Sequence, residues 1–214
     1  MALIINEIFY SIQGESIHAG RPCVFVRLTG CNLRCVYCDT RYAYTGGTIM
    51  EIPTILHRVA GYGCRLVEVT GGEPLCQQDT PLLIQSLLAG GYSVLLETNG
   101  TYDVSRLDRR CIKIIDIKCP GSGESQKNDL DNLKHLGRRD QLKFVIGDRE
   151  DYIFAKGILR LIPIEFPQDH ILFSTVHEKM ALHTLAEWIL QDNLNVRLHL
   201  QLHKFIWPDI DRGV

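Results

Sequence analysis

Short apolar segments rich in Val, Ile and Leu recur along the whole chain and predict eight β-strands. Between most of them lie segments whose apolar residues repeat at the spacing of one helix face, and Gly or Pro stands at many of the joins. The predicted strands cover residues 3–10, 23–28, 66–70, 94–98, 112–117, 142–146, 171–175 and 197–202. The predicted helices cover residues 50–60, 81–88, 150–159 and 177–192.

This alternation of strand and helix predicts an α/β fold with a mostly parallel sheet, because parallel strands need long crossovers and these are usually helices. Helices then cover the sheet on one side or both. Six strand–helix units after residue 38 would make a partial (βα)6 barrel, with an N-terminal strand and turn before it and an extra C-terminal strand after it. We expect a single domain over residues 1–214.

The composition narrows the class of function. The chain has 214 residues, of which 45% are hydrophobic, and can bury one sizeable core. Its formal net charge is −2 and it has no run of like charges, so nothing favours binding to nucleic acid or to a membrane surface. No apolar segment has the length of a membrane span, and residues 1–7 lack the order of a signal peptide. We expect a cytoplasmic protein that acts on a small molecule.

Polar residues stand where three predicted strands end. Residues 70–72 (Thr-Gly-Gly), residues 97–100 and residues 116–118 each follow or finish an apolar segment. Functional groups of parallel α/β folds collect at the carboxyl ends of the strands, so we expect all three segments at one mouth. The glycine pair lets a ligand approach main-chain groups directly. For Asn99 and Gly100 an ordinary turn is the alternative.

Three cysteines, Cys31, Cys35 and Cys38, have the spacing C-x3-C-x2-C and can turn inward from one loop onto one metal centre. A 4Fe-4S cluster held by three thiolates leaves one iron open to bind another molecule, which suggests chemistry. Three alternatives remain: a zinc site completed by a distant ligand, an electron-transfer cluster with a remote fourth cysteine, and three free thiols. The other cysteines stand singly among apolar residues and are expected to be reduced thiols: Cys23, Cys64, Cys76, Cys111 and Cys119.

The cysteine loop resembles the signature of the radical S-adenosylmethionine (SAM) superfamily, including the aromatic Tyr37 before the last cysteine. The segment 70–74 (Thr-Gly-Gly-Glu-Pro) is similar to the glycine-rich SAM motif of that superfamily. The resemblance implies a radical SAM type of barrel and a cluster held by the three cysteines, with SAM on the open iron. The SAM-binding residues that it implies are Tyr37, Cys38, Asp39, Gly72, Asp116, Ile117, Lys118 and Ser174.

Three further segments narrow the resemblance to the 7-carboxy-7-deazaguanine synthase family of the queuosine-precursor pathway: residues 8–16, the strand that carries Arg27, and residues 200–204. The resemblance implies that Arg27 pairs with a substrate carboxylate and that Thr40 binds Mg2+. The full set of implied substrate residues is Ile12, Gln13, Gly14, Glu15, Arg27, Thr70 and His203. Without the resemblance, residues 12–15 could equally form an ordinary turn with no role in binding. Thr40 could likewise cap the helix after the cysteine loop instead of binding Mg2+.

The resemblance therefore implies a radical SAM lyase. Its reaction removes hydrogen from carbon 6 of 6-carboxy-5,6,7,8-tetrahydropterin and contracts the ring, with loss of ammonia, to 7-carboxy-7-deazaguanine. It also implies an electron donor such as flavodoxin or ferredoxin, and a homodimer. Two rival functions remain: a glycyl-radical-activating enzyme acting on a partner protein, and a non-catalytic iron–sulfur or zinc module.

Overall fold

The computed structural model describes residues 1–210 and 212–214, which build an open nine-stranded sheet with helices against one face. The strands are β1 (Ala2–Ile12), β2 (Pro22–Leu28), β3 (Thr48–Glu51), β4 (Leu66–Gly71), β5 (Ser93–Thr98), β6 (Ile112–Ile117), β7 (Gln141–Ile146), β8 (Ile171–Thr175) and β9 (Arg197–Leu198). The α-helices are α1 (Ile52–Gly61), α2 (Thr80–Ala89), α3 (Arg149–Leu159), α4 (Leu182–Gln191) and α5 (Leu202–Ile206).

The order of strands in the sheet is β3-β1-β2-β4-β5-β6-β7-β8-β9. Every neighbouring pair from β2 to β9 is parallel, and only the N-terminal pairs β1–β2 and β1–β3 are antiparallel. The two edge strands β3 and β9 do not pair, so within the described residues the sheet is not closed. The predicted α/β fold with a partial barrel and an N-terminal extension is confirmed.

The main core lies between the sheet and its helices. Each of the helices α1 to α4 contributes buried apolar side chains to one continuous cluster with the outward-facing residues of the strands, among them Ile55, Leu83, Tyr152 and Leu185. Burying a side chain of this size contributes about 1.5–3 kcal/mol. These four helices are the predicted ones, and the helical spacing of their apolar residues is what holds them to one face of the sheet.

The opposite face of the sheet is divided into two layers. Its lower layer is apolar, and it consists of Phe9, Cys23, Phe25, Leu66, Leu95 and Ile114. Successive residues of a strand alternate between faces, so the residue two positions further on points to the same side. At that position four strands carry a polar or charged residue: Arg27, Glu68, Glu97 and Asp116. The inner face therefore changes from apolar to charged toward the carboxyl ends of the strands.

Two predicted helix starts are wrong. Residues 50 and 51 belong to β3, because residues 48–51 pair with Ala2–Ile5 of β1, and α1 begins only at Ile52, with Pro53 in its first turn. The helix predicted from residue 177 begins at Leu182. Glu178 has a φ of 60°, in the left-handed region, and this conformation cannot continue a helix.

The C-terminal strand is much shorter than predicted. Its pairing with β8 ends at Leu198, and residues 202–206 form α5 instead of extending the sheet. The Leu202 amide donates to Gly14 O at 2.9 Å, which ties the helix to the turn after β1. The fully described connection from residue 99 to 111 contains no helix, and between β6 and β7 the chain makes only short 3₁₀ turns. No helix in the described ranges is long and apolar enough to cross a membrane.

Candidate active site

One cavity of about 650 Å³ opens on the inner face at the carboxyl ends of the strands. It receives residues from the turn after β1, the cysteine loop (residues 31–40), the ends of β4, β5 and β6, and the C-terminal segment. The predicted site residues that line it are Ile12, Gln13, Gly14, Glu15, Arg27, Cys31, Cys35, Tyr37, Cys38, Asp39, Thr40, Thr70, Gly72, Asp116, Lys118 and His203. Residues from the two ends of the chain thus share one space.

Two predicted SAM-binding side chains do not line this cavity. The side chain of Ile117 packs in the core between sheet and helices, because it alternates with Asp116 and Lys118, which face the cavity. Ser174 is buried and its hydroxyl lies 3.1 Å from His199 Nδ1. The side chains of these two residues thus point away from the cavity, so a SAM contact from either would come from its main chain.

The cysteine loop presents its three thiols to the cavity. The Leu33 amide donates to Cys31 Sγ at 3.4 Å, and the Cys38 amide donates to Cys35 O at 3.2 Å, so the loop folds back on itself between the thiols. Burial raises the pKa of both the Cys31 and the Cys35 thiol. All three cysteines line the same cavity, and three cysteines in one loop are the donor set that would hold a 4Fe-4S cluster with one open iron.

Tight packing against the cysteine loop explains the two glycines that end β4. A Cβ on Gly72 would lie 2.5 Å from Gly30 O and 2.7 Å from Cys31 Cβ, and a Cβ on Gly71 would lie 2.5 Å from Leu28 O. Such distances are shorter than real Cβ contacts, so no side chain fits there. The glycine pair brings the main chain of β4 against the first cysteine, in addition to the predicted openness toward a ligand.

Groups from two other segments, residues 122–124 and Asn99, hold the loop. The Glu124 carboxylate accepts from the Arg34 amide at 2.6 Å, and the Val36 amide donates to Ser122 O at 3.0 Å. Asn99 donates to Asn32 Oδ1 at 3.0 Å. Asn99 is therefore not only a turn residue, which was the alternative prediction for residues 99 and 100. Its side chain ties the end of β5 to the cysteine loop.

Glu73, in the middle of the glycine motif, is a fully buried anchor. Its carboxylate accepts from the Asn99 amide at 2.7 Å, from the Leu75 amide at 2.9 Å and from the Thr98 hydroxyl at 2.9 Å. Burial raises the pKa of Glu73 to about 7, although these donors oppose the shift. Glu73 thus joins the ends of β4 and β5 rather than facing a ligand.

Orphaned polar atoms lie beside the thiols. Within the part of the chain that the structure describes, the Tyr37 hydroxyl and Asp116 Oδ1 are buried without a hydrogen-bond partner, while Asp116 Oδ2 pairs with Lys118 Nζ at 2.8 Å. An unpaired buried polar group costs about 1–3 kcal/mol, so such groups mark places where a polar ligand completes the hydrogen bonds. A molecule with amino, carboxylate and hydroxyl groups, such as SAM, fits these atoms.

Arg27 is held by a neighbour that the sequence did not reveal. Glu7 faces Arg27 across the β1–β2 pair, and its carboxylate accepts from Arg27 Nε at 2.7 Å and from the Tyr42 hydroxyl at 2.8 Å. The guanidinium also lies over the Phe9 and Tyr42 rings. Because Arg27 Nε already donates to Glu7, a carboxylate in the cavity would bind to the terminal Nη groups of the guanidinium.

The floor of the cavity is charged. Lys143, in the middle of β7, forms ion pairs with Glu15 in the turn after β1 and with Glu97 of β5, the latter at 2.8 Å. Thr70 donates to the other oxygen of Glu97 at 3.3 Å. We call Glu15, Glu68, Glu97 and Lys143 the charged floor.

The protonation states within the charged floor differ. Burial, the largest single cause, would raise the pKa of Glu15, but the Lys143 ammonium together with His199 and His203 lowers that pKa to well below its usual value. Burial, with the charges of Glu97 and Glu15, raises the pKa of Glu68 well above its usual value. Gln13 donates to Glu68. Within the floor, the surroundings therefore favour the ionised form of Glu15 and the protonated form of Glu68.

The C-terminal segment covers one side of the cavity. His203 lies so close to Gly14 that a Cβ on Gly14 would be 2.3 Å from its Nδ1, and burial lowers the pKa of His203. Gln201 donates to Glu15 at 2.7 Å and Lys204 pairs with Asp39 at 2.7 Å. Residues that follow α5 also line the cavity: Trp207, Pro208, Ile210 and Val214.

The structure bears on the alternatives that the sequence left open for Thr40, Glu15 and the cysteine loop. Thr40 makes no side-chain cap bond to the 3₁₀ turn that follows it, and its hydroxyl donates to Asp39 at 2.9 Å instead, so the capping alternative is wrong. Glu15 is paired with Lys143 and is not a solvated turn residue. In residues 1–210 and 212–214 no three His, Cys, Asp or Glu side chains form a group that could hold a single metal ion, and the cavity lining includes only three of the eight cysteines.

Sequence reasoning missed Lys143, Glu68 and Glu7. Lys143 and Glu68 stand in the middle of apolar strands, and Glu7 lies in a strand whose partner was unknown. A signal was present: a charged residue inside an apolar strand must be paired when buried. The partner of each could not be read, because the pairs join residues far apart in the chain.

Sequence comparisons place this arrangement among known proteins. The radical SAM superfamily profile matches residues 25–118. The 7-carboxy-7-deazaguanine synthase of Koribacter versatilis is 43% identical in an alignment of 226 positions that covers 98% of this chain and 99% of that protein. The 7-carboxy-7-deazaguanine synthase of Chlorobaculum tepidum is 46% identical in an alignment of 215 positions that covers 99% of this chain and 97% of that protein.

Solved structures agree at the level of the fold. The crystal structure of QueE from Escherichia coli matches with a TM-score of 0.75 at 24% identity and covers 95% of both chains. SuiB of Streptococcus suis bound to its precursor peptide SuiA matches with a TM-score of 0.56 at 14% identity, over 78% of this chain and 46% of that chain. The first match therefore takes in nearly the whole of both chains, whereas the second is confined to a shared part.

Proposed function

Because the chain belongs to the 7-carboxy-7-deazaguanine synthase family of radical SAM enzymes, we propose that its cavity is divided between two reactants. The reaction converts 6-carboxy-5,6,7,8-tetrahydropterin to 7-carboxy-7-deazaguanine with ring contraction and loss of ammonia. The cysteine loop with Gly72 and residues 116–118 forms the SAM side. The turn 12–15 with Arg27, Thr70, His203 and the charged floor forms the pterin side.

On the SAM side, Cys31, Cys35 and Cys38 are the ligands of the 4Fe-4S cluster. When bound, the cluster and SAM supply a reductive carbon–sulfur cleavage that creates the hydrogen-abstracting radical. The residues of the chain position and enclose this chemistry. Asp116 and Tyr37 offer the unsatisfied oxygens described above, and residues 37–39, Gly72 and Lys118 line the cavity beside them. Ile117 and Ser174, whose side chains point elsewhere, would contact SAM only through their main chain.

On the pterin side, each group matches one part of the substrate. The Glu15 carboxylate accepts hydrogen bonds from the N–H groups of the pyrimidine edge, and Gln13, which donates to Glu68 and accepts from the Glu15 amide, holds the turn beside it. Arg27, held by Glu7, pairs with the substrate carboxylate through the outer end of its guanidinium. Thr70 and His203 lie beside them in the same cavity and complete the contacts.

The family's divalent ion, Mg2+, belongs at Thr40. The Thr40 hydroxyl lines the cavity and its neighbour Asp39 supplies the nearest carboxylate. Mg2+ keeps several waters and takes few protein oxygens, so one hydroxyl together with substrate oxygens is a sufficient set. Thr40 also stands next in the chain to the cysteines, where an ion would orient the substrate relative to the SAM side.

The observation that carries this proposal is that three thiols of a C-x3-C-x2-C loop and an ionised Glu15 with Arg27 line one cavity. The test is to incubate the reconstituted protein with 6-carboxytetrahydropterin, SAM, Mg2+ and dithionite, and to look for 7-carboxy-7-deazaguanine by mass. We expect the product only with all four components. Formation of 5′-deoxyadenosine without any deazapurine would leave a radical SAM enzyme with another substrate, such as the partner protein of a glycyl-radical-activating enzyme.

We further propose that an acidic electron donor, of the flavodoxin or ferredoxin kind, approaches the cysteine loop. Val36, between the second and third cysteine, is 67% exposed. Two exposed arginines flank it and are fixed by the loop's own carbonyls: Arg34 donates to Leu33 O at 2.6 Å, and Arg41 donates to Val36 O at 2.7 Å. Fixed positive charge beside a cluster favours a negatively charged partner.

A homodimer and a cytoplasmic location are also part of the proposal, as is a single domain. Ile4 of β1 and Ile49 of the edge strand β3 are direct cross-strand partners and are 41% and 74% exposed, which supports an interface at that edge. Light scattering of the wild type and of Ile49→Lys tests the dimer, which the lysine should weaken. Eight cysteines without a disulfide suit a reducing compartment.

A further inference from the structure

Lys143 is a buried cation that the family resemblance did not assign to any role. It stands third in β7, in a strand whose six residues are all buried, and its side chain is 6% exposed. Its ammonium contacts Glu15 in the turn after β1 and Glu97 at the end of β5. It therefore joins three elements that do not neighbour one another in the sheet: β5, β7 and the turn.

The position of Lys143 determines the orientation and the charge of the Glu15 carboxylate. One oxygen of Glu15 accepts from Gln201 at 2.7 Å and the other faces Lys143, so the carboxylate is held from two sides. The main-chain amide of Glu15 also donates to Gln13 Oε1 at 2.9 Å. Without the ammonium, a carboxylate in this place would be buried against Glu68 and Glu97 with no cation to balance it.

We propose that Lys143 is a positioning residue for the pterin: its ammonium bridges Glu97 and Glu15 and fixes the Glu15 carboxylate as an acceptor for the N–H groups of the pyrimidine edge. This inference rests on the proposed role of Glu15. Lys143 acts through Glu15 and not by its own contact with the substrate. The positive charge of Lys143, and not the length of its side chain alone, is what fixes the Glu15 carboxylate.

The groups that face Glu15 determine how its charge depends on pH. The positively charged or titratable groups are Lys143 of β7, His199 after β9 and His203 of α5, and the acidic groups are Asp39, Glu68 and Glu97. Burial raises the pKa of Glu15, and Lys143 is the largest opposing cause. Burial lowers the pKa of both histidines, so neither supplies a full positive charge at neutral pH. Removal of Lys143 should therefore let burial raise the pKa of Glu15.

The chain offers a matched control. Lys113 of β6 is 7% exposed and pairs with Asp140 at 2.7 Å, so it is another buried lysine in a buried ion pair. It lies near the amino ends of the strands and does not line the cavity. Lys113→Met therefore removes a comparable ion pair from the sheet without touching the pterin side.

The experiment compares the KM for 6-carboxytetrahydropterin of wild type, Lys143→Met, Lys143→Gln and Lys113→Met between about pH 6 and pH 8.5, in holoenzymes matched for iron content and melting temperature. The wild type should have a flat KM, because its Glu15 stays ionised throughout. Both Lys143 variants should have a KM raised at least roughly tenfold at about pH 6.5, recovering as pH rises and Glu15 ionises. SAM cleavage without pterin should be unchanged. Lys113→Met should keep the flat wild-type profile.

A double-mutant cycle with Glu15→Gln separates action through Glu15 from direct contact. If Lys143 acts through Glu15, Lys143→Met should raise KM by less than about threefold when Glu15 is already Gln. A full, additive effect in that background would mean that Lys143 contacts the substrate itself, and would overturn the proposal. A flat pH profile in both Lys143 variants would also overturn it. If the wild type makes no deazapurine at all, the proposed function fails instead, which is a different result.

Discussion

The two sides of the cavity are built in different ways. On the SAM side, the three proposed cluster ligands come from one continuous segment, with Tyr37 and Asp39 beside them in residues 31–39. On the pterin side, neighbours in space are distant in the chain, as with Glu15 and Lys143 or Glu7 and Arg27. Hydrogen bonds with Glu124, Ser122 and Asn99 hold the cysteine loop, whereas buried ion pairs hold the pterin side. The cluster ligands can therefore be recognised in the sequence, but the residues proposed to bind the pterin come together only in the fold.

Substitutions on the two sides should therefore have different effects on SAM cleavage and on product formation. A change on the SAM side should stop SAM cleavage altogether. A change on the pterin side should leave SAM cleavage intact and separate it from product formation.

Replacing Cys31, Cys35 or Cys38 by Ala should abolish SAM cleavage and most of the cluster absorbance, because a missing thiolate leaves the cluster short of a ligand. The measurement is iron content with 5′-deoxyadenosine yield. Cys76→Ala is the control, since Cys76 is half-buried, bonds to the Tyr102 hydroxyl at 3.4 Å and does not line the cavity. An equally inactive Cys76→Ala would show that the three-thiol ligand set is wrong.

Arg27→Lys should raise the KM for the pterin roughly tenfold or more, because an ammonium keeps the charge but loses the planar fork and the Glu7 bond from Nε. SAM cleavage without pterin should stay near the wild-type rate. The two products, 5′-deoxyadenosine and 7-carboxy-7-deazaguanine, are quantified together. An unchanged KM would remove Arg27 from the pterin side, and a loss of SAM cleavage would break the separation between the sides.

Thr40→Val should reduce Mg2+-stimulated turnover roughly tenfold, because a misplaced substrate loses the near-attack geometry. The melting temperature should hardly change, since the hydroxyl bonds only to the neighbouring Asp39. Thr45→Val, at the other end of the same 3₁₀ turn and exposed, is the control. Turnover is measured against Mg2+ concentration, and an unaltered response in Thr40→Val would exclude Thr40 as a ligand.

Arg34→Gln should raise the apparent KM for an acidic donor such as flavodoxin about threefold at low salt, with a smaller effect at high salt where charges are screened. Turnover driven by dithionite should not change. The matched control is Arg65→Gln: Arg65 is exposed, donates to Gly90 O at 3.1 Å and lies over the Tyr92 ring, much as Arg34 donates to carbonyls and lies over Tyr44. Equal effects of the two substitutions would argue against docking at the loop.

The comparison also explains how much the sequence could predict. The parallel sheet, the four long helices and the cysteine loop were readable, because periodicity and a contiguous motif are local properties. The edge strand β3 was not, since residues 50 and 51 fit a helix pattern and only the pairing with Ala2–Ile5 makes them a strand. Likewise, nothing local distinguishes helix from strand at residues 202–206, where the contact with Gly14 ties the segment down as α5.

Within the site, the sequence predicted residue types better than their partners. Ile117 and Ser174 were assigned to SAM binding from a resemblance. Strand alternation turns the Ile117 side chain into the core, and the Ser174 hydroxyl lies 3.1 Å from His199 Nδ1, so their proposed contacts would be through the main chain. The partner of Arg27 required the register of β1 against β2, which places Glu7 opposite it. Lys143 required the spatial order of the strands. Long-range pairing is therefore the information that a single sequence lacks.

The most direct test of the account is the fate of the hydrogen on carbon 6, because it asks whether the pterin side delivers that atom to the SAM side. 6-Carboxytetrahydropterin deuterated at carbon 6 is incubated with the reconstituted wild type, SAM, Mg2+ and dithionite, and the recovered SAM and 5′-deoxyadenosine are both analysed by mass. Because loss of ammonia from the pterin is redox-neutral overall, the hydrogen taken from carbon 6 must be replaced by one from the same 5′ carbon. We therefore expect deuterium in the recovered SAM and in any 5′-deoxyadenosine. Deazapurine formed while both stay unlabelled would contradict the proposed contact between the two sides of the cavity.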